Sequence, residues 1–487
     1  MKKLFGTDGI RGVANKYPMT PAMAMNTGAA IAQYVKKGGY NYIVIGRDTR
    51  LSGQMLESAL AAGITSQGVN VLTAGVVPTP AVAFLLSSFN QSEMRFGGAD
   101  SSDIKDKIGA GIVISASHNP WQDNGIKIFK HGGWKLSDDE EQSIESMIFA
   151  RASEQIENEK GVSDVGKICP ITDVQNIYCD FLKKGFLNNI SDSTAGAPKS
   201  LKVVVDCSNG AASGVAPILF DKSLVLTKKD GSASAECFDS YFIFNQPDGT
   251  NINNNCGSQH TQMLAEKVVE IGADIGLAFD GDADRLIAVD EKGAVITGDR
   301  ILAICAAYLK SKGMLDNNRV VSTVMSNIGL VRTLETLRVE HLITGVGDRE
   351  VLHKMLEFRA VIGGEDSGHM IFSQYHTTGD GLLTSLRLIE VMLNTGKSLS
   401  ELASIMKVYP QILMNVEVDT SRPDFMRIQS IADEIRAVES ELGADGRVLV
   451  RYSGTQPLLR VMVEGPDHDT TKECCERICN KIRAYKL

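Results

Sequence analysis

Four short apolar segments, each followed at once by a polar turn rich in Gly or Asp, constrain the fold more than any other feature of the sequence. The segments are YIVIGRDTR (42–50), GIVISASHNP (111–120), KVVVDCSNG (202–210) and IGLAFDGDADR (275–285). Because each apolar run is continuous, we expect strands that are buried on both faces. Stretches with helical periodicity, such as 52–68 and 136–150, lie between the strand segments. Strands that alternate with helices predict an α/β protein with mixed or parallel sheets.

The length and composition describe an ordinary globular protein. The chain has 487 residues, of which 43% are hydrophobic and 22% are charged, and such a length predicts about three or four domains. The net charge of −9 argues against a nucleic-acid or anionic-membrane partner, because such partners need a basic face. The sequence shows no targeting segment and no apolar run of membrane-spanning length, and we expect a cytoplasmic protein.

The nine cysteines occur at irregular spacings and without a secretory signal, which predicts reduced thiols. The cluster CCERIC (474–479) resembles a metal motif at first sight. Cys475, Ile478, Cys479 and Ile482 fall on one helical face, however, and predict the buried stripe of a C-terminal helix.

The segment FDGDADR places Asp280, Asp282 and Asp284 at every second position after a strand. In an extended loop this spacing sends the three side chains in the same direction. Three converging carboxylates repel one another unless a cation lies between them, and hard oxygen ligands favour Mg²⁺. Two other interpretations remain open: a simple polar turn, and a phosphatase in which Asp280 is the nucleophile.

Ser117 follows the second strand segment, beside His118. No Gly-x-Ser-x-Gly elbow surrounds it, so an esterase triad has little support, and a serine that caps a turn is the simplest alternative. A phosphate on Ser117 would supply a further oxygen ligand to the cation at the three aspartates. The sequence therefore predicts a metal ion and a phosphoserine at one centre.

Two further loops have compositions suited to a sugar phosphate. RYSGTQPLLR (451–460) combines Arg451, Ser453, Gly454 and Thr455, which is typical of a phosphate site. GGEDSGHM (363–370) places Glu365, Ser367 and His369 between glycines, which suits hydrogen bonding to a polyol. Arg11 in FGTDGIRG and Lys127 in DNGIKIF are weaker candidates, because a lone cation is usually only solvated.

These motifs, in this order, resemble those of the α-D-phosphohexomutase superfamily. The matching loops are a serine loop at 115–120, a metal loop at 280–285, a sugar loop at 364–369 and a phosphate loop at 451–457. The resemblance implies four domains around a central cleft: three related α/β domains with mixed sheets and a smaller C-terminal α+β domain. We place their boundaries at 1–158, 159–262, 263–388 and 389–487, with loop insertions at 90–109 and 227–240.

Within the superfamily, the sequence most resembles the phosphoglucosamine mutase family, as in SASHNPWQDNGIKIF and GRDTRLSGQMLESALAAG. This resemblance implies interconversion of glucosamine 6-phosphate and glucosamine 1-phosphate, a step toward UDP-N-acetylglucosamine. Family members usually have Gln at the position of Asp366 and Gly at that of Ala283, and usually Pro and Glu at those of Tyr452 and Gln456. An acidic Asp366 would suit a sugar that carries an ammonium group. Phosphomannomutase/phosphoglucomutase activity stays the alternative, with a metal-dependent sugar phosphatase more remote.

The resemblance also implies roles for individual residues. Ser117 would carry the phosphoryl group, with Mg²⁺ held by Asp280, Asp282, Asp284 and a phosphoserine oxygen. A sugar 1,6-bisphosphate would be the intermediate and activator, and its free phosphate would bind Arg451, Ser453, Gly454 and Thr455. Glu365, Ser367 and Asp366 would hold sugar hydroxyls. Charge stabilisation is expected from Lys127, Arg11 and Arg285, and the acid or base from Lys127, His118 or His369. The expected partner is a hexosamine phosphate, and the family resemblance is compatible with a homodimer.

Overall fold

In the computed structural model of this chain, the structure describes residues 4–6, 8–87, 95–96, 107–153, 164–190, 200–227, 234–419, 422–453 and 457–485. Residues 90–94 and 97–106 of the insertion expected at 90–109, and residues 228–233 of that expected at 227–240, lie outside these ranges. The chain forms two compact units. The first consists of Met1–Val324 with Leu342–Ala403, and the second of Met325–His341 with Ser404–Leu487.

The helices alternate with strands along most of the chain. They are α1 (Pro21–Lys37), α2 (Gly53–Thr65), α3 (Thr79–Leu86), α4 (Asp138–Ser153), α5 (Val174–Leu187), α6 (Ala212–Leu219), α7 (Gln262–Ile271), α8 (Gly298–Ser311), α9 (Ile328–Thr336), α10 (Asp348–Phe358), α11 (Gly381–Thr395), α12 (Leu399–Ala403), α13 (Gln429–Leu442) and α14 (His468–Tyr485). Within the described ranges, no helix combines the length and the apolar character needed to cross a membrane.

The strands of the first unit form three larger sheets and one small hairpin. They are β1 (Ile10–Val13), β2 (Tyr42–Arg47), β3 (Asn70–Val76), β4 (Arg95–Phe96), β5 (Ile108–Ile114), β6 (Asp123–Lys130), β7 (Trp134–Lys135), β8 (Ile168–Thr172), β9 (Leu201–Asp206), β10 (Val225–Thr227), β11 (Ser234–Glu236), β12 (Phe238–Ile243), β13 (Ile275–Phe279), β14 (Leu286–Asp290), β15 (Val295–Ile296), β16 (Arg319–Thr323), β17 (Glu340–Thr344), β18 (Ile362–Gly364) and β19 (Met370–Phe372). In β17 the chain passes from the second unit back into the first.

The first sheet has the strand order β1-β6-β5-β2-β3-β8-β4, with β7 paired to β6. Its centre is parallel, because β2 runs parallel to both β3 and β5, whereas β6 is antiparallel to β5 and β1. Every residue of β5 is buried, as its continuous apolar run predicts for a strand covered on both faces. The sheet therefore confirms the mixed α/β architecture expected from the sequence.

Two further sheets continue the same pattern. The five-stranded sheet has the order β12-β9-β13-β14-β15, in which β9 and β13 are parallel and β14 is antiparallel. The four-stranded sheet has the order β17-β16-β18-β19, and β18 runs parallel to β16. The strands predicted at 202–206 and 275–279 are confirmed as β9 and β13. Both end at polar loops, as expected of central strands in α/β sheets.

A capping box marks the start of α4. Glu140 Oε2 accepts a hydrogen bond from the backbone N–H of Ser137 at 2.7 Å, and Ser137 Oγ accepts one from the N–H of Glu140 at 3.4 Å. This reciprocal pair satisfies backbone donors that the first turn of a helix leaves free. Local sequence chemistry thus sets where α4 begins.

The second unit contains an antiparallel sheet of β20 (Gln411–Glu417), β22 (Leu458–Glu464) and β21 (Arg447–Tyr452), in that order. Helices α13 and α14 share a hydrophobic core with this sheet. Cys475, Ile478, Cys479 and Ile482 are all fully buried there, and all nine cysteines are unpaired. The C-terminal cysteine cluster is thus part of an apolar helix face, as predicted.

Candidate active site

Ser117 lies in the loop that follows β5, in a backbone conformation that is rare for a serine. Its φ is +51°, a left-handed value that costs energy for a residue with a Cβ. The side chain is only 1% exposed, and Oγ donates a hydrogen bond to Asp280 Oδ2 at 2.5 Å. The structure therefore brings together the serine loop and the metal loop that the sequence predicts to share one centre.

The three aspartates of the metal loop converge after β13. Suitable oxygens of Asp280, Asp282 and Asp284 lie within 4.8 Å of one another, and all three side chains are buried. Among the described residues, Oδ1 of Asp282 and Oδ1 of Asp284 are buried without a hydrogen-bond partner. Buried carboxylate oxygens without donors are costly, and a hard divalent cation would satisfy them. The residues present therefore fit Mg²⁺.

The pKa shifts of these carboxylates also indicate a cation site. Burial, together with the charges of Asp284 and Asp282, raises the pKa of Asp280 well above its ordinary value. Burial also acts to raise the pKa of Asp282, but the attraction of Lys127 outweighs it and the pKa is lowered. Asp280 thus resists ionisation, as expected where like charges share a buried site.

Lys127, in β6, reaches the same centre. Its Nζ lies 2.8 Å from Asp282 Oδ2, 3.2 Å from Asp284 Oδ2 and 3.0 Å from Asp8 Oδ2. Burial alone would lower the pKa of Lys127, but these carboxylates raise it well above its ordinary value. The side chain is therefore an ammonium at neutral pH, suited to donating hydrogen bonds and balancing negative charge.

His118 lies on the other side of Ser117. Its Nδ1 is 3.3 Å from Ser117 Oγ and 3.2 Å from Arg285 Nη1. Because a guanidinium can only donate, Nδ1 accepts this bond and the ring proton lies on Nε2. Burial and the charges of Arg285 and Arg11 lower the pKa of His118 to about 4, so the ring is neutral at physiological pH.

A cavity of about 400 Å³ opens beside this centre. It is lined by residues of the N-terminal segment, the metal loop, the start of α10 and the sugar loop: Leu4, Phe5, Gly6, Asp8, Gly9, Arg11, Asp284, Arg285, Val346, Gly347, Asp348, Glu365 and His369. Its volume falls at the lower end of the range of small-molecule sites. Six of these thirteen residues carry charged side chains, which suits a phosphorylated sugar.

The sugar loop, between β18 and β19, turns two of its four predicted residues toward the cavity. Glu365 and His369 line it, and Glu365 Oε1 accepts a hydrogen bond from Gly347 N–H at 3.1 Å. Asp366 and Ser367 are not among the lining residues. Instead, Asp366 Oδ1 accepts a bond from the N–H of Asp299 at 3.4 Å. The predicted contacts of Asp366 and Ser367 with sugar hydroxyls stay predictions.

The predicted phosphate loop belongs to the second unit. Arg451 lies in β21 opposite Arg460 of β22, and within the described ranges neither guanidinium has an acidic partner. Burial and Arg460 together lower the pKa of Arg451. Ser453 Oγ is buried with no hydrogen-bond partner in the described part of the chain. Gly454 and Thr455 lie outside the described residues. An unneutralised arginine pair beside a free hydroxyl is suited to an anion.

The sequence did not predict roles for several residues of the site, among them Lys135, Asp348 and Arg50. Lys135 Nζ bridges Asp8 Oδ1, at 2.8 Å, and Asp348 Oδ2, and His369 Nε2 lies 3.6 Å from Asp348 Oδ2. Arg50 lies buried behind the serine loop. The only signals for these residues were the acidic and basic side chains at strand ends and at the start of α10, which are common on any surface.

Comparison with known proteins gives a consistent result over the whole chain. Four descriptions of phosphoglucomutase/phosphomannomutase domains match it: alpha/beta/alpha domain I at residues 2–155, domain II at 176–293, domain III at 297–409 and the C-terminal domain at 413–481. These matches and the mixed sheets agree with the predicted architecture. The predicted domain boundaries stay predictions.

Among curated proteins, the chain is 56% identical to a phosphoglucosamine mutase from Desulforapulum autotrophicum, over 100% of both chains. It is 49% identical to a phosphoglucosamine mutase from Syntrophus aciditrophicus, over 99% of both. Among solved structures, a phosphoglucomutase/phosphomannomutase family protein from Burkholderia thailandensis superimposes with a TM-score of 0.77 at 26% identity, covering 100% of this chain and 98% of that one.

Proposed function

Since the chain belongs to the phosphoglucomutase/phosphomannomutase family, we propose that it interconverts glucosamine 6-phosphate and glucosamine 1-phosphate through a phosphoserine at Ser117. It is a mutase and hence an isomerase. The observation that carries the proposal is the 2.5 Å contact between Ser117 Oγ and Asp280 in a buried carboxylate triad. The phosphoglucosamine mutases at 56% and 49% identity support the choice of sugar.

Asp280, Asp282 and Asp284 would hold Mg²⁺, with an oxygen of phosphorylated Ser117 as a further ligand. When bound, the cation neutralises negative charge on the transferring phosphoryl group. Lys127, fixed against two of these carboxylates, adds a second positive charge on the same side. Arg11 and Arg285 line the cavity and would supply further donors to the phosphoryl group.

The reaction conserves both phosphoryl groups. In the first step, a free hydroxyl of the sugar phosphate forms a bond to phosphorus as the Ser117 Oγ–P bond breaks, which gives a 1,6-bisphosphate. After the bisphosphate turns end for end, Ser117 Oγ attacks its other phosphate, and the bond between that phosphorus and the sugar oxygen breaks. The enzyme regains its phosphoserine and releases the isomeric monophosphate.

We assign the acceptor of the sugar hydroxyl proton to His369. It lines the cavity, both ring nitrogens lack a hydrogen-bond partner among the described residues, and the Asp348 carboxylate lies 3.6 Å from Nε2. A neighbouring carboxylate stabilises the imidazolium that proton transfer produces. His118 is the weaker candidate, because its lowered pKa disfavours protonation, and Lys127 is already an ammonium.

The phosphate that is not reacting would bind Arg451 and Ser453, together with Gly454 and Thr455. The arginine pair at Arg451 and Arg460 supports this assignment, because two arginines paired across a strand, with no carboxylate partner in the described part of the chain, are suited to an anion. The same site must take the phosphate at either end of the sugar. We further propose that the reaction takes place in the cytoplasm.

Three carboxylates outside the metal loop line the cavity wall, those of Asp8, Asp348 and Glu365. They favour a substrate with an ammonium group at C2 over one with a hydroxyl there. Among the described residues, Lys127, Lys135 and Arg11 all form ion pairs with Asp8, whereas Asp348 pairs with one lysine, Lys135, and lies near His369. Asp348 is therefore the side chain that we expect to contribute most to the choice of glucosamine.

The proposal is tested by treating the protein with sugar 1,6-bisphosphate labelled with ³²P and mapping the label. We expect one labelled peptide that contains Ser117, and no label or turnover in a folded Ser117→Ala variant. The rival phosphatase, with Asp280 as nucleophile, would instead release free phosphate with or without Ser117. Normal turnover by Ser117→Ala would reject the proposed chemistry.

A further inference from the structure

The guanidinium of Arg50 lies directly behind the serine loop (115–120) and the three residues that follow it. Arg50 is 1% exposed, and its partner Asp48 is fully buried. Asp48 Oδ2 accepts a hydrogen bond from Arg50 Nε at 2.8 Å, and Oδ1 accepts one from the Arg50 backbone N–H at 2.9 Å. The position of the guanidinium is therefore fixed by its own neighbour on the strand end.

The remaining donors of Arg50 are all directed at backbone carbonyls of residues 117–123. Nη2 donates to the carbonyls of Ser117, at 2.9 Å, and Asn119, at 2.8 Å. Nη1 donates to the carbonyl of Asp123 at 3.0 Å and to that of Pro120. The planar guanidinium thus donates hydrogen bonds to four carbonyls, and the backbone must bend around it to make them.

A second chain of contacts ties the other end of the Ser117 backbone to the same carboxylate. Ser115 Oγ donates to Asp48 Oδ2 at 2.7 Å and accepts the N–H of Ser117 at 2.9 Å. From the opposite side, Asn253 Nδ2 donates to the carbonyls of Ser117, at 2.8 Å, and Asn119, at 3.0 Å. Both the N–H and the carbonyl of Ser117 are therefore held by side chains.

These contacts explain how a serine keeps a left-handed φ of +51°. An unrestrained loop would relax toward extended or right-handed values. Relaxation would turn Ser117 Oγ away from Asp280 Oδ2 and the metal loop. Displacement of a reacting group by about 1 Å costs about 100-fold in rate. These contacts with the Ser117 backbone, called the clamp below, should therefore raise the rate of phosphoryl transfer.

We propose that Arg50, held by Asp48, is a positioning residue that fixes Ser117 for phosphoryl transfer. Arg50 touches neither the sugar cavity nor Ser117 Oγ, and acts only through the backbone. The inference rests on the proposed phosphoserine chemistry. It predicts that loss of the clamp lowers the rate of phosphoryl transfer without changing how the sugar phosphate binds.

The test compares Arg50→Lys with Ser115→Ala. Lysine keeps the positive charge but has no planar fork to span four carbonyls, and we expect kcat to fall about 100-fold with KM changed by less than about threefold. Ser115→Ala removes only the bridge to the Ser117 N–H, and we expect a fall in kcat of about tenfold. In both variants, we expect the ratio of phosphoserine hydrolysis to phosphoryl transfer to the sugar to be higher than in the original protein.

Arg387→Lys provides the matched control, because Arg387 is also a buried arginine. It pairs with Glu390 at 2.7 Å and donates to the carbonyl of Gly185 at 3.1 Å, away from the serine loop. We expect this variant to lose thermal stability but to keep its kcat per folded molecule. It therefore separates a loss of folding from a loss of positioning.

Wild-type kcat in a folded Arg50→Lys variant would overturn the inference. So would a loss in Arg50→Lys that only matches the loss in Arg387→Lys. If Arg50→Lys does not fold, Ser115→Ala decides alone. If Ser117→Ala is inactive and Arg50→Lys has normal turnover, the positioning role of Arg50 is rejected while the mutase mechanism stands. If Ser117→Ala is active, the mutase mechanism itself is rejected.

Discussion

Ser117 Oγ donates a hydrogen bond to Asp280 Oδ2 at 2.5 Å, although 163 residues separate the two along the chain. Ser117 follows β5 of the first sheet, and Asp280 follows β13 of the five-stranded sheet. The carboxyl ends of two strands in different sheets thus meet at one point. A site built in this way forms only when both sheets are folded and packed.

The metal loop leads to a prediction in which stability and activity change in different directions. Asp280→Asn removes a buried carboxyl group whose ionisation is disfavoured by burial and by Asp284 and Asp282, so we expect the metal-free variant to be at least as stable as the original protein, by up to about 1 kcal/mol. The rise in melting temperature on adding Mg²⁺, worth about 2.7 kcal/mol at 100 times Kd, should disappear. Mutase activity should fall about 1,000-fold or more.

Thermal unfolding with EDTA and then with excess Mg²⁺ checks this expectation. Asp206→Asn is the control, because Asp206 also ends a buried strand but, within the described ranges, accepts bonds from the backbone N–H groups of Ser208 and Gly257 alone. This control should be destabilised and keep its response to Mg²⁺. An undiminished Mg²⁺ response in Asp280→Asn would contradict the metal assignment.

The choice of sugar is tested by Asp348→Asn. The substitution leaves Lys135 without one of its two carboxylates, which makes the cavity wall more positive and disfavours an ammonium at C2. We expect kcat/KM for glucosamine 6-phosphate to fall about 10- to 100-fold, as for loss of a charge-assisted contact. The value for glucose 6-phosphate should change much less.

Asp366→Asn is the natural comparison for this experiment, because it removes a carboxylate of the sugar loop that does not line the cavity. A general structural defect would lower the values for both sugars equally. Equal losses for glucosamine and glucose phosphates in Asp348→Asn would therefore contradict the role assigned to Asp348. Loss of discrimination in Asp366→Asn alone would move that role to Asp366.

The arginine pair of the second unit gives a prediction about binding. In Arg451→Lys, a single ammonium replaces a fork that can bind phosphate through two parallel hydrogen bonds. We expect KM for the sugar phosphate to rise about tenfold, with a smaller change in kcat. Steady-state kinetics with varied glucosamine 6-phosphate measures both, and an unchanged KM would argue against Arg451 as a phosphate ligand.

Buried His376 makes stability depend on pH. Burial lowers its pKa to about 4, whereas an unfolded histidine has a pKa of about 6.5. Between these values the unfolded chain binds the proton first, so the stability that neutral His376 contributes is complete above about pH 6.5 and is lost as the pH falls toward 4. The loss is of the order of 3 kcal/mol.

His376→Asn should therefore be less stable than the original protein at pH 7, and the difference should narrow as the pH falls to 4. Asparagine can still accept the Thr377 N–H, which bonds to His376 Nδ1 at 3.1 Å. Urea unfolding across this pH range gives the comparison. A difference that stays constant with pH would show that His376 does not titrate as expected.

The sequence predicted the parts of this protein that local patterns encode. The apolar runs before Asp48, Ser117, Asp206 and Asp280 are strands, and the period-2 aspartates do converge on one point. The joint centre of Ser117 and the metal loop followed from chemistry, because the cation expected at the three carboxylates lacked a further ligand and a phosphate on Ser117 would supply that oxygen. Strand-end position and side-chain type were sufficient for these predictions.

The supporting residues could not be found in that way. Arg50 acts on carbonyls of residues 117–123, and nothing in GRDTR shows that a guanidinium will lie behind a loop about 70 residues further on. Asp348 reaches the cavity only because α10 begins beside the sugar loop. Such contacts depend on how strands and helices pack together, which a period-based analysis of the sequence does not describe.

The central claim is that the protein transfers phosphate between two positions of a hexosamine through Ser117. Phosphorus NMR of the purified protein with Mg²⁺, a trace of sugar bisphosphate and, separately, glucosamine 6-phosphate, glucose 6-phosphate or mannose 6-phosphate tests it most directly. We predict a 1-phosphate signal that grows fastest from glucosamine 6-phosphate and is absent with Ser117→Ala. Release of free phosphate without any 1-phosphate would contradict the account.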